Sequence, residues 1–243
     1  MENRRGVPRD TTHSVSDRHG ACDKADTYVM SKPVLYGFWL SSCTWRVRAA
    51  LHYKGIPYEE KQVDIVKSRE QLSAEYRSIS PSQKVPALVV DGVTLVESMA
   101  ILQYLEDTYP KPSLLPSTPL LKARMREICE TVVSGIQPLQ NVGLASHFST
   151  EQQYKDFTKY WTLRGLETLE DLLKTSSSSG QFCVGDHLTM ADLCLVPQVY
   201  NALSRHNVDL AKFPTVAVLY DTLLKMPALR DTRPEIVRGK NKL

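Results

Sequence analysis

The sequence predicts two parts, a small mixed α/β domain followed by an all-helical domain. Strand-like and helical segments alternate between about residues 32 and 109, whereas from residue 120 onwards the apolar residues recur only at helical spacing. Between them, the stretch "YPKPSLLPSTP" holds four prolines in eleven residues, which is typical of a linker. A chain of 243 residues is long enough for two such domains.

The first three elements are expected to form a strand–helix–strand unit. "KPVLYGFWL" is rich in β-branched and aromatic residues, which favours a strand. Residues 44–54 carry Val47, Ala50 and Leu51 at helical spacing, and Gly55 provides a common helix stop. "YEEKQVDI" predicts a second strand. A helix between two neighbouring strands implies that the strands are parallel.

A short helix, a hairpin and a longer helix complete the first domain. "SREQLSAEYRSIS" predicts the short helix. "VPALVVDGVTLVES" predicts two strands joined by Asp91-Gly92, a pair that favours a type I′ turn. "SMAILQYLEDTY" returns to helical period, with Ile101, Tyr104 and Leu105 on one face. The predicted order is therefore β-α-β-α-β-β-α, with a parallel pair and an antiparallel hairpin in one sheet.

The second part is predicted to be a helical bundle. Its helices are expected over residues 120–147, 150–175, 189–205 and 214–227, with a flexible loop "TSSSSGQ" at 175–181. One helix start is sharply defined. In "LTMADL", Thr189 and Asp192 form a capping box, and Leu188 and Leu193 occupy the positions of a hydrophobic staple.

Composition excludes several classes of function. The net charge of +3 is too small to indicate nucleic-acid binding, and no apolar run is long enough for a membrane span. Five cysteines without a C-x-x-C pair indicate a reducing compartment, so we expect a cytoplasmic protein without a disulfide framework. No group of residues suggests a metal site.

Residues 1–31 are expected to be a disordered N-terminal extension. They mix charged and small polar residues with few large apolar ones, and such a segment cannot bury enough surface to order itself. Mitochondrial transit peptides avoid acidic residues, and the first thirty residues contain five, so a targeting role is not expected.

The stretch "SSCTWRVRAAL" raises the question of chemistry. Ser41, Ser42 and Cys43 stand directly before a helix that also carries Arg46 and Arg48. They can act as nucleophiles, or cap the helix, or hold the sulfur of another molecule, because a helix N-terminus offers free N–H groups and a partial positive charge. The residues of this stretch alone leave these alternatives open.

From about residue 32 to residue 230, the chain resembles the soluble glutathione transferases, and the zeta class in particular, whose members are also known as maleylacetoacetate isomerases. The resemblance rests on "SSCTWRVRAAL", "QKVPALVVDG", "ESMAILQYLE", "GIQPLQNVG" and "GDHLTMADLCLVPQVYNA". It implies a thioredoxin-like glutathione-binding domain over 32–110, a linker over 111–119 and an all-helical domain over 120–243. Glu97, where many zeta members have Gln, and Gly143, where some have Ser, depart from the pattern.

The resemblance also implies the site residues. Ser41 is expected to donate to the glutathione thiolate, with Ser42 and Cys43 supporting it as catalytic residues. Val85–Pro86, with a cis bond, would pair with the cysteinyl unit, while Glu97 and Ser98 would bind the γ-glutamyl group. The expected glutathione contacts are Ser41, Ser42, Cys43, Thr44, Trp45, Arg46, Gln71, Val85, Pro86, Glu97, Ser98, Gln137, Asn141, Val142 and Gly143, and Arg205 is expected to bind the carboxylate substrate.

The implied reaction is the glutathione-dependent isomerisation of maleylacetoacetate to fumarylacetoacetate in tyrosine catabolism, with transferase activity on small α-halo acids. A homodimer is implied as well. Two alternatives remain open at this point. Cys43 can serve as the nucleophile of a thiol transferase of the omega type, which reduces dehydroascorbate, or the chain can be a binding protein that keeps the fold without catalysis.

Overall fold

The structure is a computed structural model, and it describes residues 31–176 and 180–241. The predicted disordered extension therefore lies outside the described residues apart from Ser31, and so do three residues, 177–179, of the predicted loop. No helix within the described ranges is both long enough and apolar enough to cross a bilayer.

The first domain contains the predicted four-stranded mixed sheet. Its strands are β1 (Val34–Gly37), β2 (Glu59–Gln62), β3 (Ala87–Val90) and β4 (Val93–Val96), in the order β2-β1-β3-β4. β1 and β2 are parallel, and the other two pairs are antiparallel. Asp91 and Gly92 both have positive φ angles, 49° and 79°, as a type I′ turn requires.

Three α-helices belong to this domain, α1 (Ser42–Tyr53), α2 (Ala74–Ile79) and α3 (Ser98–Thr108). The single short helix predicted over 68–80 is instead divided into a 3₁₀ turn, Glu70–Leu72, and α2. The division occurs because Ser73 adopts an extended conformation and caps α2, its hydroxyl accepting a hydrogen bond from the Tyr76 N–H at 3.0 Å.

The remaining helices are α4 (Pro119–Glu130), α5 (Glu151–Ser176), α6 (Met190–His206), α7 (Pro214–Leu223), α8 (Pro227–Arg230) and α9 (Pro234–Asn241). The prediction of one helix over 120–147 is wrong. After α4 the chain continues as a π-helical turn to Ile136 and then as two 3₁₀ segments, Gln137–Gln140 and Val142–His147. Pro138 has no N–H to extend an α-helix, and Asn141 starts a new turn. The sequence did not predict α9.

The helix α6 is the centre of the helical domain. The predicted capping box is confirmed, with the Asp192 carboxylate accepting from the Thr189 N–H at 2.6 Å and from the Thr189 hydroxyl at 2.9 Å. Leu188 and Leu193 are buried beside it, as a hydrophobic staple requires. The other oxygen of Asp192 accepts from the Cys183 N–H at 2.7 Å, which holds the preceding loop against α6.

Helix α1 joins the two domains, because it packs against α3 of the first domain and against α6 and α8 of the second. The Trp45 ring nitrogen donates to the Thr232 hydroxyl at 2.9 Å, and the Arg48 guanidinium donates to the Thr232 carbonyl at 2.8 Å. Arg48 also pairs with Glu60 of β2 at 3.2 Å. The start of α1 is thereby fixed from both domains.

Candidate functional site

The predicted site residues of the first domain meet at one edge of the sheet. The register aligns Tyr36, Ala87 and Val96 in a row across β1, β3 and β4. At this edge, β1 ends and the chain continues to the start of α1, while β4 ends and the chain continues to the start of α3. β3 begins at the same edge, directly after Pro86. The Ser41 turn, the Val85–Pro86 bond and the Glu97-Ser98 turn therefore lie side by side.

Ser41 is the N-cap of α1. Its hydroxyl oxygen accepts a hydrogen bond from the Thr44 N–H at 3.2 Å, and its backbone is extended (φ −70°, ψ 121°). The hydroxyl proton is not used by this bond, so it can be donated elsewhere. The N–H groups of Ser42 and Cys43 belong to the first helical turn, where an α-helix has no internal acceptors for them. Capping and a second role as donor are thus compatible in Ser41.

The residues after Ser41 face the interior to different degrees. Ser42 is 5% exposed, and Thr44 and Trp45 are buried, with the Thr44 hydroxyl accepting from the Phe38 N–H at 3.4 Å. Gly37 allows this close approach, because a Cβ atom there would overlap the Thr44 methyl group. Cys43 is half-buried with a free thiol. A ligand at this turn can therefore meet the backbone of Thr44 and Trp45, whereas their side chains are engaged inside the protein.

The Val85–Pro86 peptide bond is cis, as the resemblance implies. Val85 is buried in a cluster with Phe38, Val63 and Tyr76, against which Trp39 and Leu40 also pack. This cluster holds the Val85–Pro86 bond next to the segment that leads into Ser41.

The start of α3 places Glu97 and Ser98 in different environments. Glu97, and not Ser98, occupies the N-cap position, and its side chain makes no capping hydrogen bond. The chain turns sharply there, with φ 67° and ψ 115° at Glu97, a conformation that is strained for a residue other than glycine. As a result the Glu97 side chain is exposed, and Ser98 is the first helical residue, 6% exposed.

Arg46 connects the two helix starts. Its Nη1 donates to the Ser98 hydroxyl oxygen at 3.1 Å, and the side chain is fully buried. Burial lowers the pKa of Arg46, but the neighbouring Cys43, Cys194 and Cys129 thiols raise it, and the pKa is raised overall. The guanidinium is therefore charged. The predicted direct contact between Arg46 and glutathione does not suit this position behind Ser98.

Gln71 lies in the 3₁₀ turn that follows β2. Its amide nitrogen donates to the Ile65 carbonyl at 3.4 Å, while its amide oxygen is buried without a hydrogen-bond partner in the described part of the chain. The residue is half-buried, so this contact holds the turn and leaves part of the side chain accessible.

The predicted residues of the second domain form their own group. Asn141 caps a 3₁₀ segment by accepting from the Gly143 N–H at 2.8 Å, and Val142 is exposed beside it. Arg205, at the end of α6, donates to the Gln140 carbonyl at 3.3 Å. Gln137 is half-buried in the preceding turn. The structure therefore brings Arg205 next to the turn that carries Asn141.

A second cation, Lys159, acts on His206 together with Arg205, and it is not among the residues predicted from the sequence. Burial, together with the positive charges of Arg205 and Lys159, lowers the pKa of His206 to about 4. Lys159 belongs to α5 and is 46 residues from Arg205 in sequence, so no local pattern could connect them. Both charges act on His206, so the potential at the end of α6 is positive, which suits an anionic small molecule.

These features together suit a thiol-containing anion. Two helix N-termini, each with free N–H groups and a partial positive charge, open at one sheet edge, and a buried guanidinium lies behind one of them. The exposed Glu97 carboxylate can accept an ammonium group there. Among residues 31–176 and 180–241, no cluster of His, Cys, Asp or Glu side chains could hold a metal ion.

Comparison with known families gives two matches. Residues 32–107 match the N-terminal domain of the glutathione S-transferases, and residues 141–231 match the C-terminal domain of the same family. The two matched ranges correspond to the sheet-containing domain and to most of the helical domain.

Among curated proteins, the chain is similar to a probable maleylacetoacetate isomerase 1 of Drosophila melanogaster, with 46% identity over 85% of this chain and 83% of the relative. It is similar to the maleylacetoacetate isomerase of Mus musculus, with 43% identity over 84% of this chain and 93% of the relative. The similarity thus extends along nearly the full length of these enzymes.

Among solved structures, it resembles a holo maleylpyruvate isomerase, described as a bacterial glutathione S-transferase of the zeta class, with a TM-score of 0.79, 33% identity and coverage of 84% and 97% of the two chains. It also resembles the maleylacetoacetate isomerase of Anaeromyxobacter dehalogenans 2CP-1, solved with glutathione in the active site, with a TM-score of 0.75, 37% identity and coverage of 85% and 96%. The fold and the family inferred from the sequence are confirmed: this chain belongs to the glutathione S-transferase family, in the zeta class that includes the maleylacetoacetate isomerases.

Proposed function

We propose that this protein is a glutathione-dependent isomerase that converts maleylacetoacetate into fumarylacetoacetate. The observation that carries the proposal is the meeting of two helix N-termini, at Ser41 and at Ser98, on one edge of the sheet. The relatives named as maleylacetoacetate isomerases support the choice of substrate.

Glutathione suits this edge, because it combines a thiol, an ammonium group and two carboxylates. The Ser98 turn, with the N–H groups of the α3 start, fits the γ-glutamyl carboxylate, and the exposed Glu97 carboxylate fits the ammonium group. The backbone of Val85, beside the start of β3, is the proposed partner of the cysteinyl unit, and Gln71 that of the glycyl end.

When bound, glutathione supplies a thiol whose ionised form can add reversibly to an activated cis double bond, which makes that bond single and free to rotate. Ser41 is proposed to donate its hydroxyl proton as a hydrogen bond to the ionised sulfur, which favours the charged form. The start of α1 adds a positive potential at the same place, and the Ser42 and Cys43 N–H groups point along it. Cys43 is proposed to modify the surroundings of the bound sulfur and not to react itself.

Arg205 is the proposed anchor for a substrate carboxylate, with Lys159 adding to the positive potential. Its contact with the Gln140 carbonyl holds the guanidinium beside the turn that carries Asn141. A pocket with this charge would also accept small α-halo acids, for which we propose the transferase activity.

Residues 32–110 are proposed to be the glutathione-binding domain and residues 120–243 the domain that carries most of the electrophile pocket. We further propose that the protein is a cytoplasmic homodimer that acts in tyrosine catabolism. The four described cysteines are free thiols, which agrees with a reducing compartment. Size-exclusion chromatography with light scattering tests the dimer, with a mass near 27.4 kDa counting against it.

The function is tested by following the isomerisation of maleylacetone, an analogue of the proposed substrate, in protein that has been dialysed free of thiols. We expect no enzymatic isomerisation until glutathione is added, and no consumption of glutathione during turnover. Equal rates with and without glutathione, or the absence of turnover in both, would overturn the proposal.

Cys43 supports a second candidate, a thiol transferase, because its free thiol is partly exposed in the first turn of α1. The Cys43→Ala variant separates the two functions. The isomerase proposal predicts that this variant keeps its isomerisation rate within about threefold, since the reacting sulfur belongs to glutathione. Dehydroascorbate reduction in the wild type that the substitution abolishes, together with a loss of isomerisation, would favour the thiol transferase.

A further inference from the structure

Arg46 is a buried cation whose charge is not balanced by the described part of the chain. The side chain is 1% exposed, and its one hydrogen bond within residues 31–176 and 180–241 joins Nη1 to the Ser98 hydroxyl oxygen at 3.1 Å. Its Nε and Nη2 atoms are buried without hydrogen-bond partners among the described residues, and no ion pair found there includes it. An unpaired buried charge is destabilising, so we expect an anion that is not part of this chain to bind near Arg46 and balance its charge.

Arg48 shows that burial in α1 does not by itself leave an arginine without a balancing charge. It lies two residues further along α1 and is equally buried, at 1%. Its charge, however, is balanced by Glu60 at 3.2 Å, and its Nη1 donates to the Thr232 carbonyl at 2.8 Å. The charge of one buried arginine of α1 is thus balanced by a carboxylate of the protein, whereas the other arginine points to the start of α3.

The Arg46 contact also determines what Ser98 can do. A hydroxyl group has one proton to donate, and its oxygen can accept. Because the Ser98 oxygen accepts from Arg46, its proton remains for a group on the other side. That side is the N-terminus of α3, where the first N–H groups have no helical partners and favour an anion.

We propose that Arg46 is a positioning residue that acts through Ser98 to recognise the α-carboxylate of the γ-glutamyl group. It holds the Ser98 hydroxyl as a donor towards this carboxylate and provides the positive charge that the carboxylate balances. The inference rests on the proposed function, which supplies glutathione as the ligand, and it differs from the direct contact that the sequence suggested for Arg46.

Isothermal titration calorimetry tests the inference with two ligands. One is glutathione, and the other is an analogue in which 4-aminobutyrate replaces the γ-glutamyl group, so that only the α-carboxylate is missing. The variants are Arg46→Met, which removes the charge, Arg46→Lys, which keeps a charge but not the planar guanidinium, and Arg48→Lys as the matched control on the same helix.

The wild type is expected to bind glutathione roughly 10–100-fold more tightly than the analogue, the range for hydrogen bonds to a charged group. In Arg46→Met this preference should shrink to within about threefold, and in Arg46→Lys it should be intermediate. Arg48→Lys should keep the wild-type preference. When the glutathione concentration is varied, Arg46→Met should show a raised KM for glutathione. Its kcat, measured at saturating glutathione, should stay within about threefold of the wild-type value.

The thermal stability of the protein with and without ligand gives a second readout, because a merely structural role of Arg46 would leave the stabilisation by glutathione unchanged. Glutathione should raise the Tm of the wild type more than that of the variant.

If the Arg46→Met variant folds and still prefers glutathione to the analogue as strongly as the wild type does, the inference is overturned. If that variant does not fold, an unchanged preference in Arg46→Lys overturns it equally. A wild-type protein that binds glutathione and the analogue equally also contradicts it. A wild type that binds neither ligand overturns the proposed function itself, so the two failures are distinguishable.

Discussion

The Ser41 hydroxyl combines two tasks in one group. Its oxygen caps α1 by accepting from the Thr44 N–H, and its proton is available to a bound sulfur. The Ser41→Ala substitution is therefore expected to lower the isomerisation rate by roughly 10–100-fold, the effect of losing a hydrogen bond to a charged group. It should also destabilise the fold by about 1 kcal/mol through loss of the cap.

The matched control for this substitution is Ser41→Thr, which keeps both the hydroxyl group and the capacity to cap. Steady-state kinetics and urea unfolding of the two variants separate the roles. Full activity in Ser41→Ala would remove Ser41 from the proposed chemistry, although the family would be unaffected.

His206 makes the stability of the protein depend on pH. Burial and the charges of Arg205 and Lys159 lower its pKa from 6.5 to about 4, so the folded protein keeps this ring neutral where the unfolded chain protonates it. The unfolded state then binds more protons between pH 6.5 and 4, and stability falls as the pH falls through this window.

In the His206→Gln variant this contribution is absent. Its Tm should therefore decline less than that of the wild type between pH 6.5 and 4.5, whereas the difference between the two proteins should be constant above pH 7.5. Differential scanning calorimetry across this range measures both. Parallel curves for the two proteins would show that His206 is not held neutral.

Among single residues, the sequence could indicate Ser41 and Ser98, since both stand directly before apolar helical patterns. It could not assign Arg46. In the linear pattern "WRVR" both arginines look alike, and only the packing of α1 directs one to Ser98 and the other to Glu60. The burial of a charged side chain depends on elements that are distant in sequence, so the local sequence does not predict it.

Among the helices, the start of α6 is held by a buried carboxylate. The buried Asp192 carboxylate accepts three hydrogen bonds, from the Cys183 N–H and from the N–H and hydroxyl of Thr189. Asp192→Ala would leave these donors buried without partners, so we expect a loss of about 3–5 kcal/mol in the free energy of unfolding.

Urea unfolding followed by circular dichroism measures this loss. Thr118→Ala, at the N-cap of α4, is the control, because its capping bond to the Leu121 N–H is exposed and should contribute only about 1 kcal/mol. Equal effects of the two substitutions would contradict the special role of the α6 start.

The capping box and the Asp91-Gly92 hairpin were predictable, because each depends on two to five neighbouring residues. The segment after α4 was not. Its apolar period continues past Glu130, but Pro138 and the Asn141 cap divide it into short turns. Close packing contributes as well, since Gly165 of α5 lies so near Ile136 that a larger residue would overlap it. Such a contact is tertiary and leaves no periodic signal.

For the whole molecule, α1 connects the chemistry to the stability of both domains. Arg48 joins β2, through Glu60, to Thr232 in the segment between α8 and α9. Arg48→Met would leave Glu60 without its partner in a largely buried position, so the free energy of unfolding should fall by about 3–5 kcal/mol. The unfolding of this variant should also be less cooperative than that of the wild type.

Arg124→Met is the control for this prediction, because Arg124 pairs with Glu127 at 2.7 Å on the exposed surface of α4, where such pairs contribute at most about 1 kcal/mol. Urea unfolding of both variants measures the difference. A sharp wild-type transition in Arg48→Met would show that the two domains are coupled by other contacts.

The proposed mechanism requires that the protein ionises the thiol of bound glutathione, and a pH titration of that thiol, followed by the ultraviolet absorbance of the thiolate, tests this most directly. We expect the pKa of the thiol to fall by at least about one unit on binding to the wild type, since the α1 N-terminus and the Ser41 hydroxyl both favour the charged form. The pKa should rise towards that of free glutathione in Ser41→Ala. A bound thiol that titrates like free glutathione in the wild type would contradict the account.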